Sequence, residues 1–159
     1  MKYWLWPTLW MAVIFYSSAQ PYQDQDIKPF LSGKLDLTFL KPILEPLHFT
    51  YHHSEVSIAA LGTAGLVEFF IRKGAHITVF LILTLSFYYA LTKTSRLSLN
   101  VRLALAWLLT VIYAISDEWH QSITPNRTPY FGDVILDTTG AIIAVAILFL
   151  LSRKMNPGK

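Results

Sequence analysis

The stretch that decides the fold is YAISDEWHQSITPNRTPYFGDVILD, residues 113–137. It joins two strongly apolar segments, and polar side chains gather where those segments meet: Asp117, Glu118, His120, Gln121, Arg127, Asp133 and Asp137. Charged groups at the edge of a hydrocarbon layer are costly and are typical of functional sites. The stretch therefore predicts transmembrane helices with a polar site at one end.

The composition of the whole chain agrees with a membrane protein. Of its 159 residues, 53% are hydrophobic and 14% are charged, whereas about 25% are charged in a typical soluble domain. The apolar residues come in long runs, which predict a single-domain, all-α bundle of four transmembrane helices at residues 3–19, 72–92, 102–121 and 133–152. The chain has no cysteine, so it offers neither a disulfide framework nor a thiolate metal site.

Two segments leave alternatives open. Residues 3–19 could also be a cleaved signal peptide, since small residues stand near their end. Their aromatic content favours a retained helix with interfacial anchors. Residues 20–70 are polar and interrupted by prolines, and we expect them to form an extracytoplasmic segment. Within it, the apolar part 54–70 could be interfacial, re-entrant, outside the membrane, or an early start of the next helix.

The distribution of charge predicts the orientation. With the N-terminus in the cytoplasm and four crossings, the inner ends and the inner loop hold seven basic residues and no acidic one: Lys2, Lys93, Arg96, Arg102, Arg153, Lys154 and Lys159. All ten acidic residues fall on the other side. This positive-inside bias predicts a protein of the cytoplasmic membrane with both termini in the cytoplasm.

Three ionisable groups on three helices are predicted to lie at one depth. His76, Asp117 and Asp137 stand 15 to 17 residues from the basic ends of their helices, which is roughly 22–25 Å at the rise of an α-helix. A hydrocarbon core is about 30 Å thick. These side chains therefore lie just inside its outer boundary, where they can serve as partners for one another.

The helical spacing gives each of these helices a polar patch. His76 shares a face with Arg72 and Lys73, Asp117 with His120 and Gln121, and Asp133 with Asp137. Three patches that point inward would form a polar basin open to the outside. Alternatively, the same groups form an ion-pair network that locks the bundle, in which Arg72 or Arg127 pairs with Asp133 or Asp137.

In its motifs the chain resembles the VanZ-like family of small bacterial membrane proteins. The pattern is R-K-x-x-H, then D-E-x-H-Q, then an arginine, then D-x-x-x-D-x-x-G, and it falls here on Arg72, Lys73, His76, Asp117, Glu118, His120, Gln121, Arg127, Asp133, Asp137 and Gly140. Pro129 stands where the family commonly has glycine. The resemblance implies a place in the cell envelope and a link to resistance to the glycopeptide teicoplanin. It assigns no reaction.

The residues leave three functions open. As an enzyme acting on a lipid-linked anionic headgroup, the protein would draw its catalytic groups from six side chains: His76, Asp117, Glu118, His120, Asp133 and Asp137. Phosphate oxygens and other polar groups would be bound by four more: Arg72, Lys73, Gln121 and Arg127. As a non-catalytic binder, the same basin would hold or shield a headgroup without converting it. A structural role is the third alternative, and a transport path is disfavoured because the inner halves of the helices carry no ionisable groups.

The expected partners are membrane lipids, among them a lipid-linked cell-wall precursor. No cofactor is predicted. A metal site built from His76, His120 and nearby carboxylates is disfavoured, because basic residues stand beside them and the DEWH spacing differs from that of a helical zinc motif. Nucleic acid is not expected, since the basic residues cluster at the membrane edges.

Overall fold

The computed structural model describes residues 2–124 and 130–155, except for the side chains of Tyr22 and Met155. The described chain is mostly helical. In order, its helices and strands are α1 (Leu5–Ser18), α2 (Lys28–Lys34), α3 (Lys41–Leu44), β1 (Phe49–Tyr51), β2 (Ser54–Val56), α4 (Ile58–Thr94), α5 (Leu99–Ser122) and α6 (Phe131–Met155). Short 3₁₀ turns stand before α1, α2 and α3.

Three helices in the described part of the chain, α4, α5 and α6, are long and apolar enough to cross a membrane. The predicted spans 72–92, 102–121 and 133–152 fall inside them. Large apolar side chains are exposed along their outer faces, among them Ile112, Ile135 and Leu150. Such faces fit contact with lipid.

Helix α4 begins far earlier than the predicted span. It starts at Ile58, after Ser57 accepts a hydrogen bond at its Oγ from the backbone N–H of Ala60 (3.1 Å). Of the alternatives for the apolar part of the connection, the structure has the early helix start. The backbone breaks its helical path once, at Gly62, whose φ of 69° is open to glycine at little cost. The chain therefore has a short helical segment before Gly62 and a second one after it that continues into the predicted span, and the two meet at a kink.

Helix α1 is shorter than predicted and is not one of the three candidate membrane helices. Together with the 3₁₀ turn at Lys2–Trp4 it runs antiparallel to α4. The indole N–H of Trp4 donates to Thr94 Oγ1 (3.2 Å), and that of Trp10 donates to the carbonyl of Val79 (2.9 Å). Because α1 ends at Ser18, the first turns of α4 extend beyond it and leave space above its end.

The three long helices are in close contact. A methyl group on Gly140 of α6 would lie 2.1 Å from the carbonyl oxygen of Ile77, so the backbones of α6 and α4 touch at this point. Deeper in the core, the buried hydroxyls of Thr84 and Thr110 lie 3.0 Å apart and join α4 to α5. Glycine and threonine are common at helix contacts in membranes, where small residues let backbones approach.

The connection between α1 and α4 covers the first turns of α4. Leu44, Val56 and Leu66 form a small buried cluster there. Strands β1 and β2 pair as an antiparallel hairpin, with Tyr51 opposite Ser54. His52 and His53 form the two-residue turn between the strands, with φ values of 48° and 60°. Such a turn needs positive φ at both positions.

Candidate functional site

A cavity of about 750 Å³ opens above the end of α1. Its walls come from α1, α4 and α5, from the hairpin, and from residues at the start of α6. One part of the wall is polar and the other is apolar, with Trp10, Val13, Ile14, Val79 and Phe80 in the apolar part. We call this space the cavity.

Two contacts between α4 and α6 line up along one side of the cavity. Lys73 Nζ donates to Asp133 Oδ1 at 2.6 Å, and His76 Nδ1 lies 3.0 Å from Asp137 Oδ1. The pairs repeat at the helical spacing of three and four residues, which confirms that Lys73 shares a face with His76 and that Asp133 shares one with Asp137. Gly140, one turn further along α6, brings the two backbones close enough for both contacts.

The His76–Asp137 pair places a histidine at the cavity wall with a buried carboxylate behind it. His76 lines the cavity, whereas Asp137 is only 2% exposed and does not. Since Nδ1 of His76 is held by Asp137, Nε2 is the ring nitrogen left for a ligand. A carboxylate in this position fixes the orientation of a histidine ring, as general acid–base chemistry requires.

Arg72 has its carboxylate partner on its own helix. Its Nε and Nη2 each lie 3.1 Å from Glu68 Oε1, and Nη2 also donates to the backbone carbonyl of Gln25 (2.7 Å). The expectation that Arg72 pairs with Asp133 or Asp137 is corrected, because Lys73 and His76 are the partners of those two carboxylates.

Glu68 is a site residue that the sequence reasoning missed. It is 2% exposed, lines the cavity, and accepts a hydrogen bond from the backbone N–H of Ile27 (3.3 Å). Lys28 Nζ lies 4.0 Å from its Oε2. The signal was present, since Glu68 is the single acidic residue in the apolar part 56–71 and precedes Arg72 by one helical turn.

Asp117 lies in the cavity wall and is 4% exposed. Its Oδ2 accepts a hydrogen bond from Gln121 Nε2 (2.9 Å), and its Oδ1 lies 2.6 Å from Ser18 Oγ at the end of α1. The face shared by Asp117 and Gln121 is confirmed. Ser18 was not among the predicted site residues, although the sequence has two serines, Ser17 and Ser18, near the end of the predicted first helix.

His120 and Glu118 do not line the cavity. The ring of His120 stacks on Phe15 with centroids 4.0 Å apart, and its buried Nδ1 has no hydrogen-bond partner among the residues described. Glu118 accepts a hydrogen bond from the backbone N–H of Tyr130. Both His120 and Asp117 contact α1, His120 at Phe15 and Asp117 at Ser18, but of these two only Asp117 lines the cavity. Arg127, and with it Pro129, lies outside the described residues.

The hairpin adds two aromatic residues at the polar part of the cavity. Tyr51 donates its hydroxyl to Asp133 Oδ1 (2.5 Å), and Lys73 Nζ lies 4.4 Å from the centroid of the Tyr51 ring. Burial, and then the bond to the Asp133 carboxylate, raise the pKa of the Tyr51 phenol above its ordinary value. The ring of His52 packs on Tyr130 with centroids 4.5 Å apart. No local motif in the sequence indicated this hairpin.

Six of the ten predicted site residues thus line one cavity: Arg72, Lys73, His76, Asp117, Gln121 and Asp133. Asp137 lies behind His76. Within residues 2–124 and 130–155, no three histidine or carboxylate side chains are grouped as metal ligands. The wall of the cavity therefore combines basic, acidic and amide side chains with a histidine–carboxylate pair.

These features define a small helical membrane protein with a polar cavity at one end of its helices. A family model described as VanZ/LLP1 matches residues 3–152. The chain belongs to the VanZ/LLP1 family, which confirms the resemblance seen in its motifs. No curated protein and no solved structure matches it.

Proposed function

We propose that this protein binds the phosphate headgroup of a membrane lipid in the cavity, at the outer face of the cytoplasmic membrane. The observation that supports this best is the mixed wall of the cavity. Cationic side chains line one part of it, and an apolar wall continues from them. A phospholipid matches this wall, because its anionic headgroup is followed by an apolar chain.

Lys73 is the side chain best suited to hold a phosphate oxygen. An ammonium group has three donors, and within the described chain the only hydrogen-bond acceptor of Lys73 is Asp133. Arg72, one residue earlier, brings a guanidinium group whose planar geometry matches phosphate. His76 follows one turn deeper. A phosphate at this place would therefore receive charge-assisted hydrogen bonds from one face of α4.

The apolar part of the cavity gives the lipid chain a place and a way out. Val13 of α1 is 54% exposed and Leu61 of α4 is 40% exposed, and both line the cavity. The cavity therefore opens sideways between these two helices. A chain that lies along Val13, Ile14 and Val79 buries its methylenes at about 0.8 kcal/mol each and continues into the membrane.

The proposed orientation has four crossings, with both termini in the cytoplasm. Lys93 lies in the last turn of α4 and Arg102 in the first turns of α5, so these basic residues stand at the end opposite the cavity. The start of α1 is at the same end, because Trp4 contacts Thr94. The positive-inside rule then directs the cavity outward.

A direct test compares lipids that differ only in the phosphate. Purified protein in a sugar-headed detergent is titrated with phosphatidic acid and with diacylglycerol of identical chains. We expect phosphatidic acid to bind about ten-fold tighter or more, and Lys73→Gln to remove most of that difference. Lys93→Gln, at the opposite end, is the matched control. Equal binding of the two lipids by the wild type would contradict the proposal.

Turnover is measured on the same sample. The His76–Asp137 pair is suited to proton transfer, so phosphorus NMR of the bound lipid shows whether the headgroup is converted or only held. If the wild type converts the lipid and His76→Gln binds it without conversion, the protein is an enzyme. Binding without conversion makes it a binder or shield.

A second candidate function is structural, and the two contacts between α4 and α6 favour it. A polar network of this kind fixes how helices pack. If the network acts only as a lock, Lys73→Gln lowers the melting temperature while neither lipid binds to the wild type. Melting curves recorded beside the titrations therefore distinguish a lock from a binding site.

A lipid-linked cell-wall precursor belongs to the class of ligand proposed, since it combines a phosphate with a long chain. Binding it at the outer face would change how glycopeptide antibiotics meet their target. We expect overproduction of the wild type, and not of Lys73→Gln, to raise the inhibitory concentration of teicoplanin. An equal rise with both proteins would show that resistance does not depend on Lys73 in this cavity.

A further inference from the structure

We infer that the headgroup bound in the cavity carries a primary ammonium group as well as a phosphate, and that Asp117 is the residue that receives it. This inference rests on the proposed function and narrows it to one class of lipid, the amino-phospholipids. It comes from a comparison of the carboxylates around the cavity.

Three of these carboxylates are paired with a basic side chain. Glu68 is paired with Arg72, Asp133 with Lys73, and Asp137 with His76 at distances between 2.6 and 3.1 Å. Asp117 is 4% exposed, close to the 2% of Glu68 and Asp137, but it differs from them in its partners. Within residues 2–124 and 130–155, no lysine, arginine or histidine lies within ion-pair distance of it.

The neutral partners of Asp117 leave room for a cation. A carboxylate offers about four lone-pair sites, and Asp117 uses one for Gln121 and one for Ser18. The Ser18 hydroxyl also lies 2.9 Å from the carbonyl oxygen of Ile14. Since a hydroxyl has one hydrogen, it can serve only one of these two acceptors at a time. A charged carboxylate at membrane depth needs more than this.

The surroundings favour an ammonium that can donate hydrogen bonds. Asp117, the Ser18 hydroxyl and the Gln121 side-chain carbonyl are acceptors at one point of the wall. A quaternary ammonium has no N–H and is recognised by aromatic faces instead. The phosphate would be held by Lys73 and the amine by Asp117, which lie in the walls of the same cavity.

The test uses three lipids with identical chains: phosphatidylethanolamine, its N-acetylated form, and phosphatidic acid. All three have the phosphate, and only the first has the ammonium. We expect the wild type to bind phosphatidylethanolamine about ten-fold tighter than the N-acetylated form. In Asp117→Asn this preference should vanish, while binding of phosphatidic acid is retained. Asp24→Asn, an exposed carboxylate, is the control.

A folded Asp117→Asn that keeps the preference would overturn the inference. A second measurement keeps the test informative if Asp117→Asn does not fold. The wild type is titrated with phosphatidylcholine of identical chains, whose quaternary amine has no N–H, and we expect it to bind about ten-fold more weakly than phosphatidylethanolamine. Equal binding of these two lipids would overturn the inference. So would a wild type that binds phosphatidylethanolamine and its N-acetylated form equally. If phosphatidic acid and diacylglycerol also bind equally, the proposed phosphate site fails as well, and the two failures are thereby distinguished.

Discussion

Gly140 lies directly on the carbonyl of Ile77, and this contact sets the distance between α6 and α4. A Cβ at Gly140 would be 2.1 Å from that oxygen, which is far inside van der Waals contact. Lys73–Asp133 and His76–Asp137 lie within two turns of it on the same pair of helices. The glycine of the family motif is therefore part of the geometry of the cavity, although it does not touch a ligand.

Replacing this glycine should separate the two helices. We expect Gly140→Ala to lower the free energy of unfolding by about 1–3 kcal/mol, the usual cost of overpacking, because backbone must move. Gly74→Ala is the matched control on α4, since a Cβ there meets nothing within 4 Å and alanine favours a helix. Thermal melts in detergent measure both. A Gly140→Ala protein as stable as the wild type would show that the helices are not in contact there.

The sequence predicted the long helices and the polar faces well, because both follow from local periodicity. The pairs that join α4 to α6 could be expected once His76 and Asp137 were placed at one depth, because Lys73 and Asp133 lie one turn away on the same two faces. The sequence could not predict which basic side chain pairs with which carboxylate, because the pairing depends on the rotation of each helix. That rotation is set by packing at positions such as Gly140.

The contacts that Tyr51 and Ser18 make at the cavity could not be predicted from local sequence patterns. Tyr51 contacts Asp133 across 82 residues of sequence, and the turn that presents it uses two histidines where asparagine and glycine are the usual signal. Ser18 reaches Asp117 across 99 residues. Both contacts depend on tertiary structure. Glu68 is a different case. Its helical spacing to Arg72 was visible in the sequence, but the span was expected to begin at residue 72, and Glu68 was therefore left outside it.

Neutralising Glu68 should weaken the attachment of the connection to α4. Its carboxylate is shared by Arg72, Lys28 and the backbone N–H of Ile27. Removing one partner of a buried ion pair leaves the other charge uncompensated, at a cost of about 3–5 kcal/mol. We therefore expect Glu68→Gln to lower the melting temperature clearly, and Glu55→Gln, whose side chain is 49% exposed, to leave it nearly unchanged.

A double-mutant cycle separates the ion pair from other effects of this change. If Glu68 acts mainly through Arg72, the pair Glu68→Gln and Arg72→Gln together should cost less than the sum of the two single changes. Additive losses would mean that the two side chains stabilise the protein independently.

The buried threonine contact between α4 and α5 should contribute little. Thr84 and Thr110 each lie 2.9 Å from the carbonyl one turn before them, as well as 3.0 Å from each other. Each hydroxyl has one hydrogen, so the contact between helices competes with bonds inside each helix. We expect Thr110→Val to cost less than about 1 kcal/mol in free energy of unfolding, in line with polar contacts inside membranes. Thr110→Ala, which also removes volume from the core, should cost more. A loss of several kcal/mol in the valine variant, as large as that in the alanine variant, would make the hydroxyl contact a major stabilising element.

The orientation is tested by labelling single cysteines, which is clean because the chain has none of its own. Asp24 lies at the cavity end and is exposed, and Leu97 lies between α4 and α5 and is 40% exposed. In intact cells, a thiol reagent that cannot cross the membrane should label Asp24→Cys and leave Leu97→Cys unlabelled, because the positive-inside rule directs the basic end inward. Opening the membrane should then expose Leu97→Cys to the same reagent, which shows that its side chain is reactive. Labelling of Leu97→Cys in sealed cells would show that the protein has the opposite orientation in the membrane. The cavity would then face the cytoplasm, and the proposed ligand would have to be a lipid of the inner leaflet.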